Sequence, residues 1–161
     1  MKKIFLLFTI GLLSFYTSDE VISLKGITLK AKHQQSKITT VANIQGIIIP
    51  DSLNDGTCYS ITFYPSNDGI NQNTVEYAQL KKLIDGVERK YGVKLIYKQD
   101  PDALSKQTGV YSAIKGTVKF FIDVNYNILL TPEYTIYFSI VDLTLLIKKE
   151  QEIQEKENDD F

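Results

Sequence analysis

Cys58 and His33 are the only cysteine and the only histidine among 161 residues, so thiol–imidazole chemistry rests on this one pair. A cysteine nucleophile is activated by a base, usually histidine. His33 sits in the polar run KHQQSK. Cys58 sits in the alternating run TCYSITFY, with an Asn-Asp-Gly triplet on each side. Nothing in the spacing brings the two together, and free cysteine is among the most buried residue types. Cys58 is therefore expected to be a small core residue. A lone cysteine forms no intramolecular disulfide. One cysteine and one histidine cannot supply the cysteine- or histidine-rich zinc sets.

Oxygen-based chemistry is little better supported. Calcium loops of the EF-hand type need acidic or amide side chains at positions one, three and five, Gly at six and Glu at twelve. Placing Gly69 of SNDGINQN at six puts Tyr64 at one and Val75 at twelve, so the pattern fails at both ends. Turn formation by Asn, Asp and Gly accounts for the segment. Carboxylates for acid–base work could come from Asp100, Asp102, Asp123 or Asp142. Asp123 stands out because it falls mid-strand, where propensity disfavours it. Phosphate-cradling glycine loops and G-x-S-x-G elbows are absent. No catalytic residue, metal ligand or cofactor is expected.

The elements that would position such residues read as strands around one strong helix. In GITLKAK, Ile27, Leu29 and Ala31 alternate with polar residues, and a bulge at Gly26 would absorb the phase change from Ile22 and Leu24. ITTVANIQGIII reads as a second strand closed by Pro50, and TCYSITFY as a third. Tyr77, Leu80, Ile84, Val87 and Tyr91 form a helical stripe. The spacing of Asn73 and Glu76 predicts a capped start near residue 74, and Gly92 a C-terminal cap. VKLIYK reads as a strand, and a helical turn could follow Pro101. TVKFFIDVNY and YTIYFSIV form an antiparallel pair joined by NILLTPE. Beyond them, either Asp142 caps a helix carrying Leu143, Leu146, Ile147 and Ile153, or the strand continues. The expectation is an α+β fold, a mainly antiparallel sheet packed against one central amphipathic helix, with a C-terminal helix as an option.

The first residues, MKKIFLLFTIGLLSFYTSDE, have a lysine–apolar–polar layout. This predicts a secretory signal peptide over 1–18, a single domain over 19–147 and a charged tail over 148–161. The apolar run is shorter than the roughly 20 residues of a membrane-spanning helix, so no transmembrane segment is expected after its removal. A net charge of −1 gives no basic field for nucleic acid. The compartment implied is periplasmic or extracellular.

Two faces follow from strand alternation. Val118, Phe120, Ile122 and Val124 beside Ile136, Phe138 and Ile140 make an apolar face for the helix. The opposite face offers Lys119, Phe121, Asp123, Tyr137 and Ser139 as candidate contacts for a protein or envelope partner, unless the C-terminal segment folds over it. The expected function is a small exported binding or accessory module of the bacterial cell envelope that performs no catalysis. The alternative is a secreted hydrolase using carboxylates or a serine. Intact-mass measurement of the exported protein should show a chain that begins between about residues 15 and 20. A mass that retains Met1 to Leu13 would refute export with cleavage.

Overall fold

A computed structural model describes residues 20–127 and 133–159. The expected signal peptide and most of the NILLTPE link lie outside them. The architecture is α+β. Nine strands and two helices are described: β1 (Ser23–Leu24), β2 (Ile27–Thr28), β3 (Lys37–Val41), β4 (Ile44–Ser52), β5 (Cys58–Pro65), α1 (Tyr77–Tyr91), β6 (Ile96–Gln99), β7 (Gly109–Lys115), β8 (Val118–Asn127), β9 (Glu133–Asp142) and α2 (Leu143–Asp159). β1 and β2 form a separate small hairpin. The other seven strands make one antiparallel sheet in the order β3-β4-β5-β9-β8-β7-β6. Two meanders, β3–β5 and β6–β9, are thus joined where β5 meets β9, with Ile61 opposite Ile140 and Phe63 opposite Phe138. Among the described residues no helix is long and apolar enough to cross a membrane.

α1 lies on the inner face of this sheet. Its buried residues are Leu80, Leu83, Val87 and Tyr91, and Ile84 packs against them partly buried. Beneath them lie Ile61, Phe63, Phe120, Ile122, Phe138 and Ile140, all without solvent exposure. The Tyr91 ring sits 4.8 Å from Phe120. The alternation read from β8 and β9 holds, since Val118, Phe120, Ile122 and Val124 and Tyr134, Ile136, Phe138 and Ile140 are all buried. Gly92 ends α1 at φ 63°, a left-handed conformation that costs glycine little.

Several expectations are corrected. α1 begins one turn later than Asn73 implied. Its cap is Glu76, which forms a reciprocal capping box with Gln79. Val75 exchanges two backbone hydrogen bonds with Tyr134, each 2.8 Å, which holds the preceding residues extended. There is no bulge at Gly26. Lys25 (φ 50°) and Gly26 (φ 85°) make a two-residue hairpin turn, pairing Leu24 with Ile27, and that turn produces the phase change. The run ITTVANIQGIII is two strands, because Ala42 (φ 50°) and Asn43 (φ 66°) turn the chain back. Both turns have the positive-φ pair that matches strand twist. Pro50 does not close β4. It pairs opposite Ile61, beyond Lys37–Ile48, where β3 begins. It therefore lacks a neighbour on one side, where a missing N–H costs nothing.

No helix follows Pro101. Asp100 instead accepts the Asp102 N–H through its carboxylate at 3.0 Å in a turn. β7 is a strand that the sequence pattern does not predict. The C-terminal choice resolves to a helix. Asp142 Oδ1 accepts the N–H groups of Thr144 and Leu145 at 3.0 and 3.1 Å, and Leu143 donates to the Thr117 carbonyl. Residues 148–159 are the outer turns of this α2.

Asp142 is buried and also lies 3.6 Å from Lys30. Asp142→Ala should cost about 1–2 kcal/mol through loss of the cap. Asp142→Asn, which keeps the acceptor, should cost less. Urea unfolding midpoints measure both, and an alanine variant as stable as the native chain would overturn this role.

Candidate functional site

The outer face of the sheet is set by register. Antiparallel partners share a face, so Asp123 with Tyr137 and Phe121 with Ser139 lie side by side on β8 and β9. Ser139 pairs onward with Thr62 of β5, and Thr62 with Ile49 of β4. In the other direction Phe121 meets Ser112, and Asp123 meets Val110. The candidates on β8 and β9 therefore fall together on one surface.

Their accessibility differs. Tyr137 is 42 % exposed and its hydroxyl donates to Gln72 Oε1 at 2.7 Å. Its ring lies 6.3 Å from Tyr64. Phe121 is half-buried, with the Lys119 ammonium 5.2 Å from its ring centre. Asp123 is exposed. Partial desolvation, followed by the charge of Asp100, pushes its carboxyl above the ordinary range. Ser139 is buried, its hydroxyl 3.0 Å from that of Thr62, so it braces the strand pair from within.

Two segments border this surface. At one end α2 contacts β5 and β9, where Ser60 and Val141 are buried. Asn54 N–H donates to Glu152 on this helix at 3.0 Å. The C-terminal segment thus covers one end of the outer face and leaves Tyr137 open. At the other end lies the loop after β5. Asp68 accepts the N–H groups of Ile70 and Asn71, both at 2.8 Å, the Asn71 amide at 2.6 Å and the Ser66 hydroxyl at 3.1 Å. These donors hold its carboxyl far below the usual carboxylate range. With four donors aimed at it, Asp68 is a turn organiser, as the Asn-Asp-Gly chemistry implied.

The fold brings the segments of Cys58 and His33 side by side: the Cys58 backbone N–H donates to the Ala31 carbonyl at 2.9 Å, and Lys32 pairs opposite Thr57. The two side chains differ in exposure. Cys58 is fully buried. Its thiol donates to the Ser60 carbonyl at 3.2 Å, and burial pushes its pKa up to about 11. A register slip between Asp51 and Ser52 leaves Tyr59 as an extra residue, and Cys58 joins the same buried cluster as Ile61 and Phe63. His33 is exposed at a turn, its N–H bonded to the Gly56 carbonyl. Asp142 is occupied by the helix cap. Asp100 and Asp102 share a turn.

Sequence reasoning missed one concavity, on the inner face beyond the N-terminal end of α1. Tyr77, Tyr97, Tyr111 and Tyr134 surround a cavity of about 410 Å³ floored by Leu80 and Val124. Its signal was composition, ten tyrosines and no tryptophan. Spacing along the chain hid it, because the four rings come from α1, β6, β7 and β9.

Compared with protein-family models, with curated proteins and with solved structures, the chain finds no match in any of the three.

Cys58→Ala should leave any binding activity intact and lower stability by about 1 kcal/mol. With its thiol protonated, native Cys58 should resist alkylation at pH 8 and react only on unfolding. Rapid alkylation of the folded protein, or loss of function at unchanged stability, would assign it a chemical role.

Proposed function

We propose that this chain is a small exported binding or accessory module of the bacterial envelope, periplasmic or extracellular, that acts without catalysis. Its outer sheet face would receive a protein partner. The observation that carries this reading is the uncovered centre of that face. Tyr64, Phe121 and Tyr137 lie there between the α2 end and the Asp68 loop, and Ile38 and Ile114 are exposed on flanking strands. Antiparallel sheets commonly turn one face to water, but that face is then mostly polar. A run of aromatic and β-branched side chains with a few polar ones is the mixture of an interface. Phe121 and Tyr137 would supply buried contact area, while Lys119 and Asp123 at its margin would set orientation.

The export half of the proposal rests on the N-terminal layout. The non-catalytic half rests on how the candidate groups are used: the Cys58 thiol is neutral and buried, the Asp142 carboxylate caps a helix and the Ser139 hydroxyl braces two strands.

A Phe121→Ala, Tyr137→Ala double variant should weaken capture of the partner from an envelope extract by at least about tenfold, the scale of two interface anchors. Its melting temperature should stay nearly unchanged, because neither side chain is in the closed core. Capture equal to that of the native protein would place the interface elsewhere.

A further inference from the structure

The cavity beyond the start of α1 has the composition of a small-molecule site. Its volume of about 410 Å³ falls within the range of ligand pockets, roughly 300–1,000 Å³. Tyr97 and Tyr111 pair at 4.7 Å between centroids. Tyr77 and Tyr134 pair at 6.1 Å. Behind them Tyr126 backs Tyr134 at 5.1 Å. The walls are fixed by hydrogen bonds at their rims. Tyr134 donates to Gln107 Oε1 at 2.6 Å, and Tyr97 donates to the Lys106 carbonyl at 2.8 Å. Among the described residues, the hydroxyls of Tyr77 and Tyr111 make no hydrogen bond within the protein, and Tyr77 is 58 % exposed. Neighbouring phenols contribute, after burial, to raising the pKa of Tyr111 and of Tyr134, as expected where hydroxyls converge.

The wall chemistry selects among ligands. A purely apolar ligand would make no use of the Tyr77 and Tyr111 hydroxyls or of the Gln107 amide. A quaternary ammonium suits an aromatic cage, but among the described residues no carboxylate lines this cavity and Lys106 does. A sugar ring satisfies both kinds of wall. Its C–H face carries partial positive charge and packs on the negative face of an aromatic ring. Its hydroxyls can pair with phenol hydroxyls and the Gln107 amide.

We propose that the four-tyrosine cavity is a saccharide-binding site, with Tyr97 and Tyr111 as the stacking platform and Tyr77 and Gln107 as hydrogen-bonding contacts. It lies on the opposite side of the sheet from the face assigned to a protein partner, and it stands or falls independently of that assignment.

The full chain can be titrated with chitotriose, cellotriose and maltotriose, with choline and decanoate as comparisons. Tyrosine fluorescence is the readout, undisturbed because the chain has no tryptophan. At least one trisaccharide should give a saturable change below about 10 mM. Tyr97→Ala and Tyr111→Ala should each weaken it by about tenfold, on the scale of a lost aromatic contact, while Ile153→Ala on α2 should not. If the alanine variants fail to fold by circular dichroism, Tyr111→Phe decides. It keeps the ring and loses the hydroxyl, and should bind about threefold more weakly. The proposal is overturned if no trisaccharide saturates, if choline or decanoate binds more tightly than every sugar, or if the folded variants bind as well as the native chain.

Discussion

The pairing of β5 with β9 is the constraint on which the rest of the molecule depends. Each meander forms from neighbouring hairpins, but the two become one sheet only where Phe63 meets Phe138 and Ile61 meets Ile140. These are contacts between residues far apart in the chain, whose loop-closure entropy must be met before they contribute. What favours closure is that all four side chains are excluded from water, each worth about 1.5–3 kcal/mol of burial. α1 is the crossover between the halves, and it lands on the seam it makes possible. Opening the seam would strip the helix of its support and expose three fully buried phenylalanines at once. The fold is therefore expected to be cooperative around this line.

Local turn chemistry does the complementary work. Two-residue turns with positive φ at Lys25–Gly26 and Ala42–Asn43 set register without any help from the core. A slip of one residue would send every apolar side chain to the wrong face. Carboxylates act in the same way at loops. Asp68 gathers four donors. Glu88 accepts the Leu95 N–H at 2.9 Å just past the end of α1. Asp142 caps α2 at the point where β9 ends. The acidic residues that a sequence reader inspects for catalysis are thus largely occupied in shaping backbone.

This explains what was legible in the sequence and what was not. The stripe on α1 and the alternation of β8 and β9 were readable because each buries one face along a long element, so periodicity is strong. β7 was not, because it is buried only moderately on both sides and carries Ser112 and Ala113 among its apolar residues. The hairpin at Ala42–Asn43 was hidden because no glycine marks it, and alanine rarely takes positive φ. The outer-face candidates were legible as a set, since period two places Lys119, Phe121 and Asp123 together whatever the fold. Burial of Ser139 was not, because it depends on Thr62 of a strand in the other meander. The tyrosine cavity was least legible of all, being built from four separated segments.

A further consequence follows from size. Seven strands span roughly 29 Å from edge to edge at the usual interstrand spacing, whereas one helix with its side chains is about 10–12 Å across. α1 alone therefore cannot cover the inner face. On the β3 side the gap is filled by the β1–β2 hairpin, whose Leu24 and Ile27 are buried, and which Tyr91 and Lys90 fasten through the Ser23 carbonyl. On the β6 side, among the described residues, no helix or strand lies over the sheet, and only the loop carrying Lys106 and Gln107 reaches it. Tyrosines fill that area instead, and the choice is physically apt. Their rings cover Val124 and Leu80, the Tyr97 and Tyr134 hydroxyls bond within the protein, and exposed Tyr77 keeps its polar end near water. Side chains that cover a sheet without a helix or strand behind them leave a concavity. The tyrosine cavity thus follows from the mismatch between sheet width and helix width. The same mismatch is what leaves the Tyr77 and Tyr111 hydroxyls without a protein partner among the described residues.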